Sequence, residues 1–276
     1  MSHVLTEFGG GTIARASRAP ALTRVFRQQM KLIQQAGVSS MGLMVLAGST
    51  LLFLGMDPRV ARLPFPADYL PLTGLLLGAV AWPPLVWRGQ GPLRRSYHRA
   101  LPVDHLTHDL LKVTAGAISL MVGVAVVLLP LLVAAGLSPV LSGLLTRPSW
   151  LVWLNFFTGP LIIYLLVSCV PMLTDRPLEW LLGLIAGFVG LTFLADSYGL
   201  VPIEGLIDIL MGEPIGLVYA LNGAYAEQPW LYYANLGRFG GGPHYGAWLT
   251  ATILWLGAGF FAVGLASNYA NSRKSA

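Results

Sequence analysis

The sequence predicts an all-α polytopic membrane protein. It would have six transmembrane helices, an N-terminal interfacial amphipathic helix and a short helical external segment between spans five and six. Three observations lead there. Of the 276 residues, 55% are hydrophobic and only 11% are charged, whereas soluble domains carry roughly 25% charged residues. The charges cluster, leaving long charge-free runs between them. Cys169 is the one cysteine, so no disulfide framework holds the chain, and so much apolar surface excludes disorder.

An α-helix rises ~1.5 Å per residue, so crossing a ~30 Å hydrocarbon core takes about 20 apolar residues. Charge-free runs lie between Lys31 and Asp57, Asp68 and Arg88, Lys112 and Arg147, Arg147 and Asp175, Glu179 and Asp196, and Arg238 and Arg273. They place spans at about 37–56, 69–87, 112–136, 149–173, 179–196 and 246–268. These make a transmembrane domain of 37–268, preceded by a cytoplasmic N-terminus (1–36) and followed by a short tail (269–276). The fifth span is the shortest. Its 16 uncharged residues, Trp180 to Ala195, cover about 24 Å, so it is expected to be less tilted or to stop before the far interface. The first 30 residues lack the apolar stretch of a cleaved signal peptide, and the first span is expected to serve as an uncleaved anchor.

Lysine and arginine set the orientation. With the N-terminus inside, 13 of the 17 basic residues fall on the inner side and only Arg59, Arg62, Arg147 and Arg238 outside. Both termini are then cytoplasmic, in a multi-pass protein of the cell (inner) membrane. Asp57, Asp68, Asp196, Glu204, Asp208, Glu213 and Glu227 lie on the outer side. The basic pI of about 9.5 follows from this asymmetry and suits anionic membrane lipids; a nucleic-acid partner is not expected.

Taken in order, residues 20–35 read as an amphipathic helix. Leu22, Val25, Phe26, Met30 and Ile33 share one face, opposed by Arg24, Arg27, Lys31 and glutamines. Such a helix suits the membrane interface or packs on the rest of the protein. The second span ends in Trp82, Pro83, Pro84 and Trp87; the tryptophans fit an interfacial belt and the prolines kink or end the helix. The inner loop from Arg88 to Lys112 is the longest cytoplasmic connection, and Asp104 within it is a plausible N-cap for the third span. Asp175 to Leu178 joins spans four and five as an antiparallel pair. Beyond span five, residues 202–211 form a short amphipathic helix ended by Gly212 and Pro214, and Ile215 to Ala220 form a second short apolar stretch. Neither is long enough to span.

The chain has no phosphate loop, no HExxH, no GxSxG and no CxxC. No catalytic, cofactor-binding or metal-binding residue is assigned. His98, His105 and His108 read as polar inner surface rather than a metal site. No ionisable residue falls near the middle of any span, so no coupling ion is indicated. Asn155 and Thr158 in span four would line a substrate path or bond a neighbouring helix. Gly74 with Gly78, and Gly183 with Gly187, have the spacing of close helix contacts.

A basic interfacial helix before six spans, a basic loop between spans two and three, a short hairpin between four and five, and a semi-buried outer segment before the last span form a pattern. It resembles the membrane (permease) subunit of type 2 ATP-binding cassette (ABC) transporters. The local likeness is strongest at Leu101-Pro102-Val103-Asp104, followed by Leu110, Leu111 and Lys112. Family members often have Leu-Pro-Val-Ser-Arg there, and glutamates where this chain has Arg94, Arg95, His98 and Arg99.

The resemblance implies a permease subunit, most readily of an exporter, with no ATP-hydrolysing motif of its own. A separate ABC ATPase subunit would bind ATP and Mg²⁺. A second permease subunit, identical or not, would complete the path, with spans one, two and five along the route. Leu93, Arg94, Arg95, Tyr97, His98, Arg99, Leu101 and Pro102 would form the ATPase-coupling loop. Arg24, Arg27 and Lys31 of the interfacial helix would also meet the ATPase, and the outer segment would act as a gate. The competing readings are a secondary transporter or channel of unrelated fold, which would need a polar pore or midplane ion site, an intramembrane enzyme, and a structural subunit of a membrane complex.

Overall fold

The computed structural model describes residues 22–34, 70–87, 104–137, 150–199, 202–203, 205, 207, 215–222 and 245–272. Among them are helices and no strand. We label the helices α1 (residues 22–34), α2 (Leu70–Val86), α3 (His105–Leu137), α4 (Trp150–Leu173), α5 (Pro177–Tyr198), α6 (Leu217–Asn222) and α7 (Tyr245–Ser272). Four of these, α3, α4, α5 and α7, are long and apolar enough to cross a membrane, while α2 is a shorter apolar helix. Among the described residues the secondary structure is all α, with four candidate transmembrane helices, consistent with a membrane protein. The expected first span, 37–56, lies outside the described residues.

Helix boundaries follow local chemistry. α3 begins at His105, ahead of the apolar run expected from 112, because Asp104 caps it. The Asp104 Oδ2 accepts from the Thr107 backbone N–H at 3.3 Å and from the Thr107 hydroxyl at 3.0 Å, meeting an amide that would otherwise be orphaned at the helix start. With 33 residues, α3 is about 50 Å long, longer than the hydrocarbon core, and its extra length lies partly in this polar first turn. Pro83 and Pro84 sit in the last turn of α2, where the helix ends within three residues. α5 is 22 residues long, about 33 Å. Its charges, Glu179 and Asp196, lie in its first and last turns, so the short uncharged run does not shorten the helix itself. Pro177 is tolerated at its start, where no amide partner is lost. Gly199 ends it in the left-handed region at φ 59°, its N–H donating to the Ala195 carbonyl, a conformation glycine adopts without Cβ strain.

α4 is the centre of the bundle, packing against α2, α3, α6 and α7, with α5 folded back upon it through a three-residue link. α2 and α4 run antiparallel to α3, and α7 runs parallel to α4. The core is a continuous cluster from Ile33 of α1 through Trp82, Val86, Val113, Leu120, Phe156, Tyr164 and Val263. Tyr164 is its wedge. It is fully buried and its hydroxyl donates to the Val113 carbonyl at 2.9 Å. A Cβ at Gly116 would collide with that hydroxyl, so glycine there is a condition of the α3–α4 approach. The Trp82 indole N–H donates to the Gly116 carbonyl at 3.1 Å, fastening α2 to the same point. Outside this core, Val122, Val126, Leu129 and Val133 of α3 expose a stripe at helical spacing, as do Ile253, Phe260 and Phe261 of α7. Apolar side chains this numerous on the flanks are what acyl chains would cover.

Candidate functional site

One end of the bundle gathers α1, the end of α2, the starts of α3 and α5, and the ends of α4 and α7. Polar side chains meet here inside the protein. Gln29 is buried on α1, and its amide nitrogen lies 3.2 Å from His108 Nε2. With the amide donating to Nε2, the imidazole proton sits on Nδ1, which faces Asp109 Oδ1 at 3.6 Å. Asp109 Oδ2 accepts from the Ser267 hydroxyl at 2.8 Å. A chain of polar contacts thus runs from α1 through the first turns of α3 to the end of α7. One turn deeper, the Lys112 ammonium stands 4.2 Å from the centroid of the Trp87 ring, with both side chains buried. A cation desolvated over an indole face is worth roughly 2 kcal/mol. This contact joins the last residue of the α2 segment to α3, so both ends of the connection between them are clamped to each other.

Asp104, exposed at the mouth of the same connection, has its carboxyl held below the usual aspartate range, chiefly by the two hydrogen bonds from Thr107. The coupling-loop residues Leu93, Arg94, Arg95, Tyr97, His98, Arg99, Leu101 and Pro102 lie outside the described residues. Arg24, Arg27 and Lys31 are exposed on α1, while Val25, Gln29 and Ile33 on its other face are buried. The apolar stripe of the amphipathic helix is therefore turned onto the bundle, the second of the two arrangements its pattern allowed. Among the described residues, no three His, Cys, Asp or Glu side chains converge as a metal ion would require.

At the opposite end a second polar junction fastens α6. Asn155 of α4 is fully buried, and its Nδ2 donates to the Leu221 carbonyl at 2.6 Å. The Trp248 indole N–H of α7 reaches both Asn155 Oδ1 at 3.0 Å and the Ala220 carbonyl at 3.1 Å. Trp255, a further two turns along, donates to the Ile215 carbonyl at 2.8 Å. These donors meet carbonyls at both ends of the 215–222 segment, and those of Ala220 and Leu221 belong to the last turn of α6, where a helix leaves its carbonyls orphaned. Both halves of the Asn155 amide are thus used within the protein. The Thr158 hydroxyl is buried with no hydrogen-bond partner among the described residues.

Sequence reasoning missed Gln29, Trp248 and the Asp109–Ser267 contact. Gln29 had a signal. It sits midway between Val25 and Ile33 at four-residue spacing, a polar residue on an apolar stripe. Trp248 and Ser267 had none, since nothing in their local pattern names a partner so distant in the chain. The chain matches no protein-family model, no curated protein and no solved structure.

Proposed function

We propose that the chain is the permease subunit of an ABC transporter, most readily an exporter, driven by a separate ATPase subunit that binds ATP and Mg²⁺. The observation that carries this reading is the double clamp at the base of the α2–α3 connection. Trp87 over Lys112, and Trp82 on Gly116 against Tyr164, tie both ends of that connection into α4. Because the two ends are fastened to each other and to α4, a displacement that reaches either end is shared by both helices. Force applied to the basic segment from Leu93 to Pro102 passes into α2 and α3 together, and from them to α4. The Asp109–Ser267 bond extends the path to α7. The likeness of Leu101-Pro102-Val103-Asp104 to the family motif supports the same assignment.

A second permease subunit completes the path in this reading. α5 supports it: ten of its large apolar side chains are exposed, Leu182 and Phe193 most among the span's interior residues, and Gly183, Gly187 and Gly190 face open space. The outer segment acts as the gate, and its 215–222 part travels with α4 and α7 because Asn155, Trp248 and Trp255 hold it there. The membrane is the cell (inner) membrane, with both termini cytoplasmic.

The test is co-purification of the chain with an ABC ATPase subunit from the cells that make it. Changing Arg94, Arg95 and Arg99 together to Glu is expected to release the ATPase while the permease stays in the membrane. Retention of the ATPase at physiological salt by that variant would remove the loop from the coupling role.

A further inference from the structure

An amphipathic helix at a membrane interface ordinarily lays its apolar face into the acyl chains and leaves its charged face to water. α1 has already spent its apolar face on the protein. Val25 and Ile33 are buried, and Phe26 and Met30 pack against the core cluster. The Gln29–His108 contact fixes its rotation. What faces away from the bundle is Arg24, Arg27 and Lys31, all exposed and within about 60° of one another around the helix at 3.6 residues per turn. None of the three forms an ion pair among the described residues, and α1 holds no acidic residue that could neutralise them.

Depth says what lies opposite. α1 meets α3 at His108, in the first turn of a helix whose membrane-compatible stretch starts at His105, and the stretch of α7 that ends at Ala270 stops at the same end. The stripe therefore sits where the apolar flanks of the bundle give way to polar surface, which is the level of phospholipid headgroups. Leu32, 55% exposed at the edge of the basic face, fits this boundary, as do the aliphatic stems of Arg and Lys, which lie along apolar surface while their charged ends reach the polar layer.

We infer that Arg24, Arg27 and Lys31 form a docking site for the phosphate-bearing headgroups of anionic phospholipids. The guanidinium and ammonium groups supply positive charge and N–H donors to phosphate oxygens, and the contact is electrostatic because the apolar face is not available to insert. The site needs no ATPase, and it assigns to lipid the three residues that the ABC resemblance would set against one.

The experiment uses the full chain in detergent with equimolar phosphatidylglycerol and phosphatidylcholine of identical acyl chains, and counts retained lipid by native mass spectrometry. The wild-type chain is expected to retain phosphatidylglycerol preferentially, and R24Q/R27Q/K31Q to lose that preference by at least roughly tenfold, since each cation near an anionic surface contributes about a fivefold factor. The charge-keeping variant R24K/R27K should hold the preference within about twofold, as the electrostatic contribution per cation is nearly the same, and R94Q/R95Q/R99Q should leave it unchanged. The inference fails if R24Q/R27Q/K31Q keeps the preference, if R24K/R27K loses it equally, or if the loop variant abolishes it as well. It also fails if R24Q/R27Q/K31Q keeps its phosphatidylglycerol but no longer co-purifies the ATPase, which would make the stripe a protein dock.

Discussion

α4 and α5 are consecutive helices of similar length and comparable hydropathy, separated by three residues, yet they live in opposite surroundings. Half of the apolar stretch of α4 is buried in the protein, against 11% for α5. The difference is legible in what each helix asks of a neighbour. α4 carries Asn155, Tyr164 and Ser168, polar groups whose burial is tolerable only with partners, and it finds them on α6, α7, α3 and its own preceding turn. A Cβ added at its Gly159 would come into van der Waals contact with Leu76 and Leu221. α5 asks for almost nothing. Thr192 bonds its own turn at Phe188, and its glycines meet no neighbour. Hydropathy tells that both helices can cross a membrane; polar groups that cannot be satisfied within their own helix tell which one is enclosed.

The comparison breaks most readily at Tyr164. Tyr164→Ala should destabilise the protein by about 3–5 kcal/mol, as large-to-small aromatic changes in packed cores do, whereas Phe193→Ala on α5 should stay within about 0.5 kcal/mol in the single, unpaired chain, as exposed substitutions do. Unfolding titrations of both variants in mixed micelles measure the contrast, and equal losses would show α5 to be as enclosed as α4 in the folded protein.

A smaller effect is expected at the second junction. Asn155→Leu leaves the Leu221 carbonyl without its donor and removes one acceptor from Trp248, at a cost of about 1–2 kcal/mol, since hydrogen bonds between helices in membranes are worth less than burial alone suggests. Faster hydrogen exchange confined to the 215–222 segment is the sharper readout, because the junction holds that segment rather than α4 itself.

The smallest effect is at the helix start. Asp104→Ala should cost about 0.5–1 kcal/mol, at the low end because the cap is exposed to solvent. The hydrogen bonds from Thr107 lower the Asp104 pKa in the folded chain, so the cap contributes fully at neutral pH and above the ordinary aspartate range. Its contribution fades only as pH falls through that lowered value. The stability difference between wild type and D104A should therefore narrow as pH is taken from neutral to below the ordinary aspartate range, while D104N, which keeps an acceptor but no charge, should not show that narrowing.

Much of the architecture was readable in the chain. The gaps between charges located α3, α4, α5 and α7, because excluding ionised groups from hydrocarbon is a local demand that each stretch of sequence meets for itself. Asp104 announced the start of α3 for the same reason: an N-cap reaches only the next turn. The coupling role expected of the 88–103 connection rested on a motif likeness, and its residues lie outside those the structure describes.

Other features needed the folded molecule. The periodicity of residues 20–35 marked an apolar stripe but was silent on whether lipid or protein would cover it; the bundle supplied the answer by receiving Val25 and Ile33 and setting Gln29 against His108. Asn155 could equally have faced a path or a neighbour, and Trp248 with Leu221 decided it. Local rules act over one or two turns, so the sequence alone determined where helices lie and which ends are charged. Which polar atoms meet across separations of 66 to 158 residues depends on how helices stack, and only the tertiary structure decided that.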